Sequence, residues 1–359
     1  MSAEILRQLS DGKAFKPAPS LWEMADAHVP FAELGFEPAP EPQVRRGLVE
    51  GTGLVIVSGE SGSGKSTTLA SVTASLAGEL TAIGERRYLP VVVPVAGRAE
   101  ATRNLDAFGQ ATIREVLAAI HDSLTPDQQK RLVRALGDAV TRQHTGARFN
   151  ARAAATLFGL VEAGAGLQLG NDVVSVVGKD LLDGRGGLKT LGDICRSRGF
   201  ELIVCIEDTD AWAQSDRAQD AQAFFSSVAR PLANDVDVGV AIAVQNAWLE
   251  GPEVLDEVIA ICERAVTVAA VPRPESEPHA RRMVEQIIDR RIDLNIDEGA
   301  LGRYPAAALF SSEALDVLGH VLFKEGNVRA PLSKIRDVLD RHAEALPDKI
   351  SEQHVLDVL

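Results

Sequence analysis

Apolar positions along this chain follow two rhythms that take turns. Continuous apolar runs at Leu54–Val57, Tyr88–Val95, Leu202–Ile206, Val238–Val244 and Ala265–Val271 have the length and β-branched content of strands covered on both faces. Between them, apolar residues recur every three or four positions, as helices require. Leu69, Val72, Leu76 and Leu80 form one such stripe, and Ile113, Val116, Leu117, Ile120 and Leu124 another. Leu188, Leu191, Ile194 and Cys195 form a third, stopped at Gly199, and Phe224, Phe225 and Val228 a fourth. Thr125-Pro126-Asp127 restarts a helix with an N-cap residue and a proline at the first position. Strands that alternate with helices over about 230 residues predict an α/β fold, a parallel sheet with helices on both faces. After Pro274 the strand rhythm stops. Met283, Ile287 and Ile288, then Leu315, Leu318 and Leu322, then Leu332, Ile335, Val338 and Leu339, and a segment from Ser351 to Leu359 predict a small all-helical lobe.

Three domains follow from this pattern. Residues 1–43 are expected to be an irregular N-terminal arm, because Pro17, Pro19, Pro30, Pro38, Pro40 and Pro42 interrupt short apolar clusters around Trp22 and Phe31. Residues 44–274, opening on a short helix from Val44 to Gly51, are the α/β domain, and residues 275–359 the helical lobe. An insertion at about 146–187 is rich in Gly and Ala, with Leu167–Leu169 and Val173–Val177 flanking Gly170-Asn171-Asp172. A contact loop and a functionally silent packed excursion both fit it, and Arg185, in Asp183-Gly184-Arg185-Gly186-Gly187, is singled out there as a candidate contact residue.

Composition narrows the setting. The 359 residues are 45% hydrophobic and only 4% aromatic, enough apolar content for a large core built mainly from aliphatic side chains. No window approaches the roughly 18 apolar residues of a membrane span, and no charged segment precedes an apolar one at the N-terminus, so a soluble, cytoplasmic protein is expected. Cys195, Cys205 and Cys262 are too scattered for a disulfide framework or a zinc site. Acidic residues outnumber basic ones 51 to 37, a net charge of −14, which repels nucleic acid unless basic groups gather on one face.

The chemistry is concentrated behind the first strand. Gly59-Glu60-Ser61-Gly62-Ser63-Gly64-Lys65-Ser66, followed by Thr67, reads G-x-x-x-x-G-K-S between a strand and a helix. Glycines let the backbone N–H groups converge on phosphates, Lys65 supplies positive charge, and Ser66 offers a hydroxyl ligand to magnesium. A nucleoside triphosphate with Mg2+ is therefore the expected ligand. The strand at 202–206 runs into Glu207-Asp208-Thr209-Asp210. Here Glu207 is assigned to the metal shell and Asp208 to polarising the attacking water, with Asp210 in reserve. No H-E-x-x-H, G-x-S-x-G or Asn-Lys-x-Asp element occurs, so zinc and acyl-transfer chemistry are not indicated and adenine is preferred over guanine.

This order of parts resembles the AAA+ superfamily of ATPases, in particular its replication-initiator and signal-transduction branch. Residues 59–66 are similar to a Walker A loop and 202–208 to a Walker B strand, while Gln245-Asn246 resembles a sensor 1 position. Gly326-Asn327-Val328-Arg329-Ala330-Pro331-Leu332 is similar to that branch's sensor 2 signature, which implies that Arg329 reaches the γ-phosphate from the lid. Lys349 to Leu356 resembles the closing lid helix, and the N-terminal arm would pack by the base. The resemblance also implies a homo-oligomer in which Arg264, just before the strand at 265–271, reaches into a neighbour's site as an arginine finger. The clustered Arg281-Arg282 and Arg290-Arg291 read as a solvated helix face. Two departures stand out: the acids come as Glu then Asp, where the family usually has Asp then Glu, and the chain stops with the lid, where initiators continue into a DNA-reading domain. Slow or partner-stimulated hydrolysis and no sequence-specific DNA reading are expected from these. The leading expectation is an ATP-driven switch or assembly ATPase acting on a separate effector protein. The alternative is a DNA-loading or DNA-remodelling ATPase of a mobile-element, plasmid or defence system. A small-molecule kinase is disfavoured by the helical lobe with its Gly-x-x-Arg helix start.

Overall fold

A computed structural model describes residues 2–11, 14–15, 25–50, 54–78, 87–95, 104–109, 111–112, 115, 188–189, 192, 196, 200–207, 209–212, 218–236, 238–250, 253–296 and 305–359. The expected insertion with Arg185, most of the helical stripe before Leu124, and Asp208 lie outside these residues. In chain order the elements are α1 (Ser2–Asp11), α2 (Pro40–Glu50), β1 (Leu54–Gly59), α3 (Lys65–Gly78), β2 (Arg87–Pro94), β3 (Phe200–Glu207), α4 (Ala218–Phe224), α5 (Arg230–Asp235), β4 (Gly239–Gln245), α6 (Asp256–Cys262), β5 (Thr267–Ala270), α7 (Glu277–Asn295), α8 (Ala306–Leu309), α9 (Ser312–Glu325), α10 (Arg329–Arg341) and α11 (Glu352–Leu356).

The strands form one five-stranded sheet in the order β2-β3-β4-β1-β5. β2 and β3 run parallel with Leu89 opposite Leu202 and Val93 opposite Ile206, and β3 and β4 run parallel with Val204 opposite Val240. Consecutive strands β1 and β2 are not neighbours, so the chain crosses over the sheet between them, as parallel pairing demands.

Two units make up the chain. The first to consider comprises Arg45–Ile56 and Ser75–Val268. Its core joins alternate residues of the strands, among them Val91, Val204, Ile206, Val240 and Val244, to the aromatic residues Phe108, Trp212, Phe224, Phe225 and Trp248. The Phe224 ring lies 5.0 Å from Trp212 and 5.4 Å from Phe225, and Phe225 lies 5.5 Å from Trp248 in an edge-on arrangement that the ring quadrupoles favour. A π-helical turn, Phe225–Ala229, joins α4 to α5. The extra residue in that turn rotates the helix face, so that Val228, Ala229 and Leu232 are buried along with the adjacent pair Phe224 and Phe225. β5 is shorter than the predicted run; Val266 at its entrance is 55% exposed, and its N–H donates to Leu54 O at 2.9 Å.

The other unit comprises Met1–Val44, Val57–Ala74 and Ala269–Leu359. α7 buries Ala280, Met283, Val284, Ile287, Ile288 and Ile292, an apolar stripe at helical spacing that packs against the stripe of α9 formed by Leu315, Leu318 and Leu322. Serines cap both helices: Ser276 Oγ accepts from His279 N–H at 3.4 Å and Ser311 Oγ from Ala314 N–H at 3.1 Å. The start of the chain belongs to this unit. Where prolines predict an irregular arm, residues 2–11 are helical, and Ile5, Leu6 and Leu9 are fully buried as α1 packs on α7, α8 and α10. Of the four arginines read as a solvated face, Arg282 and Arg290 are exposed; Arg290 Nε donates to Asp26 O (2.8 Å), and half-buried Arg291 donates through Nη1 to Ala14 O (3.0 Å). Burial lowers the pKa of Arg291 from its ordinary value. Gln286 donates to Glu33 O, and buried His279 hydrogen-bonds Leu34 O through Nε2 at 2.7 Å. Among the described residues, no helix is long and apolar enough to cross a membrane.

The segment before α2 is held by one carboxylate. Glu41 Oε1 accepts from His28 Nε2 and from Phe31 N–H, both at 2.7 Å. Burial works to raise the pKa of Glu41, but the bonds from His28 and Phe31 outweigh it and leave the carboxyl below its ordinary value of 4.5. A depressed folded-state pKa means that the contribution to stability is complete above about pH 4.5 and drains away as pH falls through the lower folded value. Glu41→Gln is expected to destabilise the chain by about 1–3 kcal/mol at neutral pH, and to remove part of the acid-side loss of melting temperature seen in the wild type. Thermal melts between pH 3 and 7 check this, and parallel curves for the two proteins would show that Glu41 carries no such linkage.

Candidate functional site

β1 is buried along its whole length and delivers Gly59 to the start of the loop, and α3 opens at Lys65. Gly62 and Gly64 have φ of +75° and +113°, values that strain any residue with a β-carbon, so the chain reverses here only because both are glycine. Ser63 N–H closes a turn on Glu60 O at 3.2 Å, and the hydroxyls of Thr67 and Thr68 both donate to Gly64 O, at 2.8 and 2.9 Å. The loop is thus held by bonds within itself and within the first turn of α3, whose N-terminal dipole end faces it.

Lys65 is 4% exposed, and its Nζ donates to Gly59 O at 3.1 Å and to Glu60 O at 2.8 Å. A nearly buried ammonium held on carbonyls of a turn rich in N–H groups is a fixed positive charge with anion donors around it. Ser63 Oγ is buried and has no hydrogen-bond partner among the described residues. Ser66 and Thr67 lie half-buried in the first turn of α3, and Ser61 is exposed at the tip.

The turn before α10 meets this loop. Val328 N–H and Arg329 N–H both donate to Gly62 O, at 2.9 and 3.3 Å. A β-carbon built on Gly62 would lie 2.8 Å from Cβ of Arg329, so the close approach depends on glycine as much as the loop's own conformation does. Asn327 Oδ1 accepts from Ala330 N–H at 2.8 Å and so fixes the start of α10, where Arg329 is the first residue and its side chain is exposed.

The remaining candidates belong to the unit that carries the aromatic core. Glu207 closes β3, is 7% exposed, and accepts at its backbone carbonyl from Val95 N–H at 3.0 Å. Burial first, and then the nearby Glu207 carboxylate, hold the Cys205 thiol protonated well above its ordinary range, which makes Cys205 a core residue and not a nucleophile. Asp210 lies in the helical turn Thr209–Trp212, and Thr209 Oγ1 donates to Ala243 O at 2.6 Å, tying the end of β3 to β4. Gln245 closes β4 with its Nε2 buried and without a partner among the described residues, and Asn246 follows it, half-buried at the start of a short helical turn. Arg264 is exposed in the turn between α6 and β5.

The structure thus brings Gly59–Thr67 together with Asn327–Arg329 in one unit, and Glu207 with Gln245 at the ends of adjacent strands in the other. Sequence reasoning missed Arg273, whose Nη2 lies 2.7 Å from Glu60 Oε1. The signal available was an arginine held between Pro272 and Pro274, where two fixed φ values stiffen the connection from β5 to α7.

Among the described residues no group of three or more His, Cys, Asp or Glu is arranged to hold a metal.

Comparison with known proteins supports the fold. A family model described as type II/IV secretion system protein matches residues 21–83, the stretch that contains β1, the glycine loop and α3. No curated protein matches the chain. Among solved structures, the chain is similar to the ORC1 protein of Aeropyrum pernix in complex with DNA, at 13% identity and a TM-score of 0.51, over 95% of this chain and 68% of that one. Weaker likenesses include the ADP form of the Aeropyrum pernix ORC2 protein, at 14% identity and a TM-score of 0.46 over 89% and 65% of the two chains. PCH-2 of C. elegans is weaker still, at 10% identity and a TM-score of 0.37 over 89% and 63%. At these identities the likeness is one of fold.

Proposed function

We propose that this chain, which has an AAA+-type P-loop fold, binds ATP with magnesium on Gly59–Thr67 and hydrolyses it as an assembly switch controlling a separate partner protein. The observation that carries the reading is Lys65, nearly buried and held on the loop's own carbonyls, with the Arg329 turn bonded to the same loop at Gly62. Glu207 and Gln245 close the adjacent strands β3 and β4, and ligands of parallel sheets bind outside the carboxyl ends of the strands.

In this reading the backbone N–H groups of residues 60–66 and the Lys65 ammonium hold the phosphates. Ser66 and Glu207 would hold the magnesium ion, which would supply positive charge to the phosphates. Asp208 polarises the attacking water, with Gln245 and Asn246 beside it at the end of β4 to orient water or the γ-phosphate. Arg329 reports the γ-phosphate to the lid, so that ATP and its hydrolysis products favour different lid positions. Arg264 completes the site of a neighbouring copy, which makes hydrolysis depend on assembly.

Assembly supplies the test. ATPase rate per subunit is expected to rise with protein concentration, and mixing Arg264→Ala chains with Asp208→Asn chains is expected to recover activity, because mixed interfaces pair an intact acid with an intact arginine. A rate independent of concentration, without recovery in mixtures that do associate, would mean that each chain acts alone.

The DNA-loading alternative is supported by one finding, the fold likeness to an ORC1 protein solved in complex with DNA. The net charge of −14 weighs against it. Stimulation by duplex DNA that weakens steeply with added salt would favour the DNA reading over the partner-protein one.

A further inference from the structure

We infer that Arg273 is a positioning residue of the nucleotide site, which neutralises the one acid of the phosphate loop and joins that loop to the lid turn. The inference rests on the ATP-binding reading of Gly59–Thr67 and adds to it a residue outside every motif. Glu60 places a carboxylate in the loop expected to cradle a polyanion, and a carboxylate there repels phosphate. Arg273 answers it with Nη2 at 2.7 Å from Oε1. The same guanidinium lies against Gly326: a β-carbon there would sit 3.0 Å from Arg273 Nε and 3.1 Å from its Cζ. Gly326 ends α9 with φ of +69°, and Val328 and Arg329, two and three residues on, carry the N–H groups that reach Gly62 O.

Three segments therefore meet on one side chain. Glu60 belongs to the loop, Gly326 to the lid turn, and Arg273 itself to the Pro272–Pro274 connection into α7. Glu60 is also the residue whose carbonyl accepts from Lys65 Nζ and from Ser63 N–H, so a pull on its side chain acts on the groups that face the phosphates. The pair is partly exposed, and its direct worth to folding is small. Its effect is on the ligand: one uncompensated charge beside a triphosphate, and a lid turn that has lost its seat.

These two roles separate by substitution. Arg273→Ala is expected to weaken ATP binding about five- to tenfold, because Glu60 is left unpaired near the phosphates. Adding Glu60→Gln to it is expected to bring affinity back to within about twofold of wild type, since the repelling charge is gone. Arg273→Lys keeps a charge but not the flat guanidinium, and is expected to keep affinity while losing the ATP-dependent protection of the lid from protease. The probes are a fluorescent ATP analogue with magnesium and limited proteolysis, with melting curves to show that each variant is folded. Equal affinity in wild type and Arg273→Ala, or no recovery in the Glu60→Gln/Arg273→Ala pair, overturns the neutralising role. Full lid protection in Arg273→Lys overturns the joining role. Lys65→Ala run alongside keeps the two levels apart: if wild type and Lys65→Ala bind equally, the nucleotide reading itself fails.

Discussion

Lys65→Ala is expected to lower affinity for ATP by about 100-fold or more, the largest binding effect of any single change in this chain. The ammonium is almost fully buried and held by two loop carbonyls, so it is already fixed where phosphates would arrive and loses little freedom on binding. Removing it takes away charge-assisted bonds to the phosphates and leaves Gly59 O and Glu60 O without that donor, which adds negative potential at the same place. Isothermal titration with ATP and magnesium measures the loss, and a melting curve separates it from unfolding. Wild-type affinity in this variant would remove the basis for assigning the loop to phosphate.

Asp208→Asn is expected to slow turnover by about 10²–10⁴-fold while leaving ATP affinity within a few-fold of wild type, since a general base acts on the water and not on the bound nucleotide. Glu207→Gln is expected to raise the magnesium requirement instead, because Glu207 closes β3 as a buried carboxylate suited to the metal's shell. Single-turnover hydrolysis at several magnesium concentrations distinguishes the two. Normal turnover in Asp208→Asn together with a dead Asp210→Asn would move the base by two residues, into the turn Thr209–Trp212.

Much of the fold was legible because local signals and tertiary burial agree. The continuous apolar runs at 54–57, 202–206 and 238–244 each became a buried parallel strand, and the glycine loop sits between strand and helix as its spacing requires. The signals that failed are those that only a distant partner explains. Ile5, Leu6 and Leu9 have helical spacing, but the prolines that follow them suggest irregular chain, and the lobe that buries them lies hundreds of residues away. Half-buried Arg291 reads as solvated because its acceptor, Ala14 O, is a backbone atom that carries no side-chain signature. Arg273 escaped for a related reason. Its partner Glu60 is the variable second position of the glycine motif, where no residue type is required, so nothing in the motif points to a cation elsewhere.

The unit that carries the glycine loop is assembled from Met1–Val44, Val57–Ala74 and Ala269–Leu359, whereas the other unit is nearly continuous from Ser75 to Val268. On the ribosome the middle of the chain can therefore collapse while the tail is still being made, but α1 has nowhere to bury Ile5, Leu6 and Leu9 until α7, α8 and α10 emerge. Joining segments this far apart in sequence closes the longest loops in the molecule, and long closures form late and slowly. A nascent chain thus acquires most of its strands before the lobe that steadies the glycine loop.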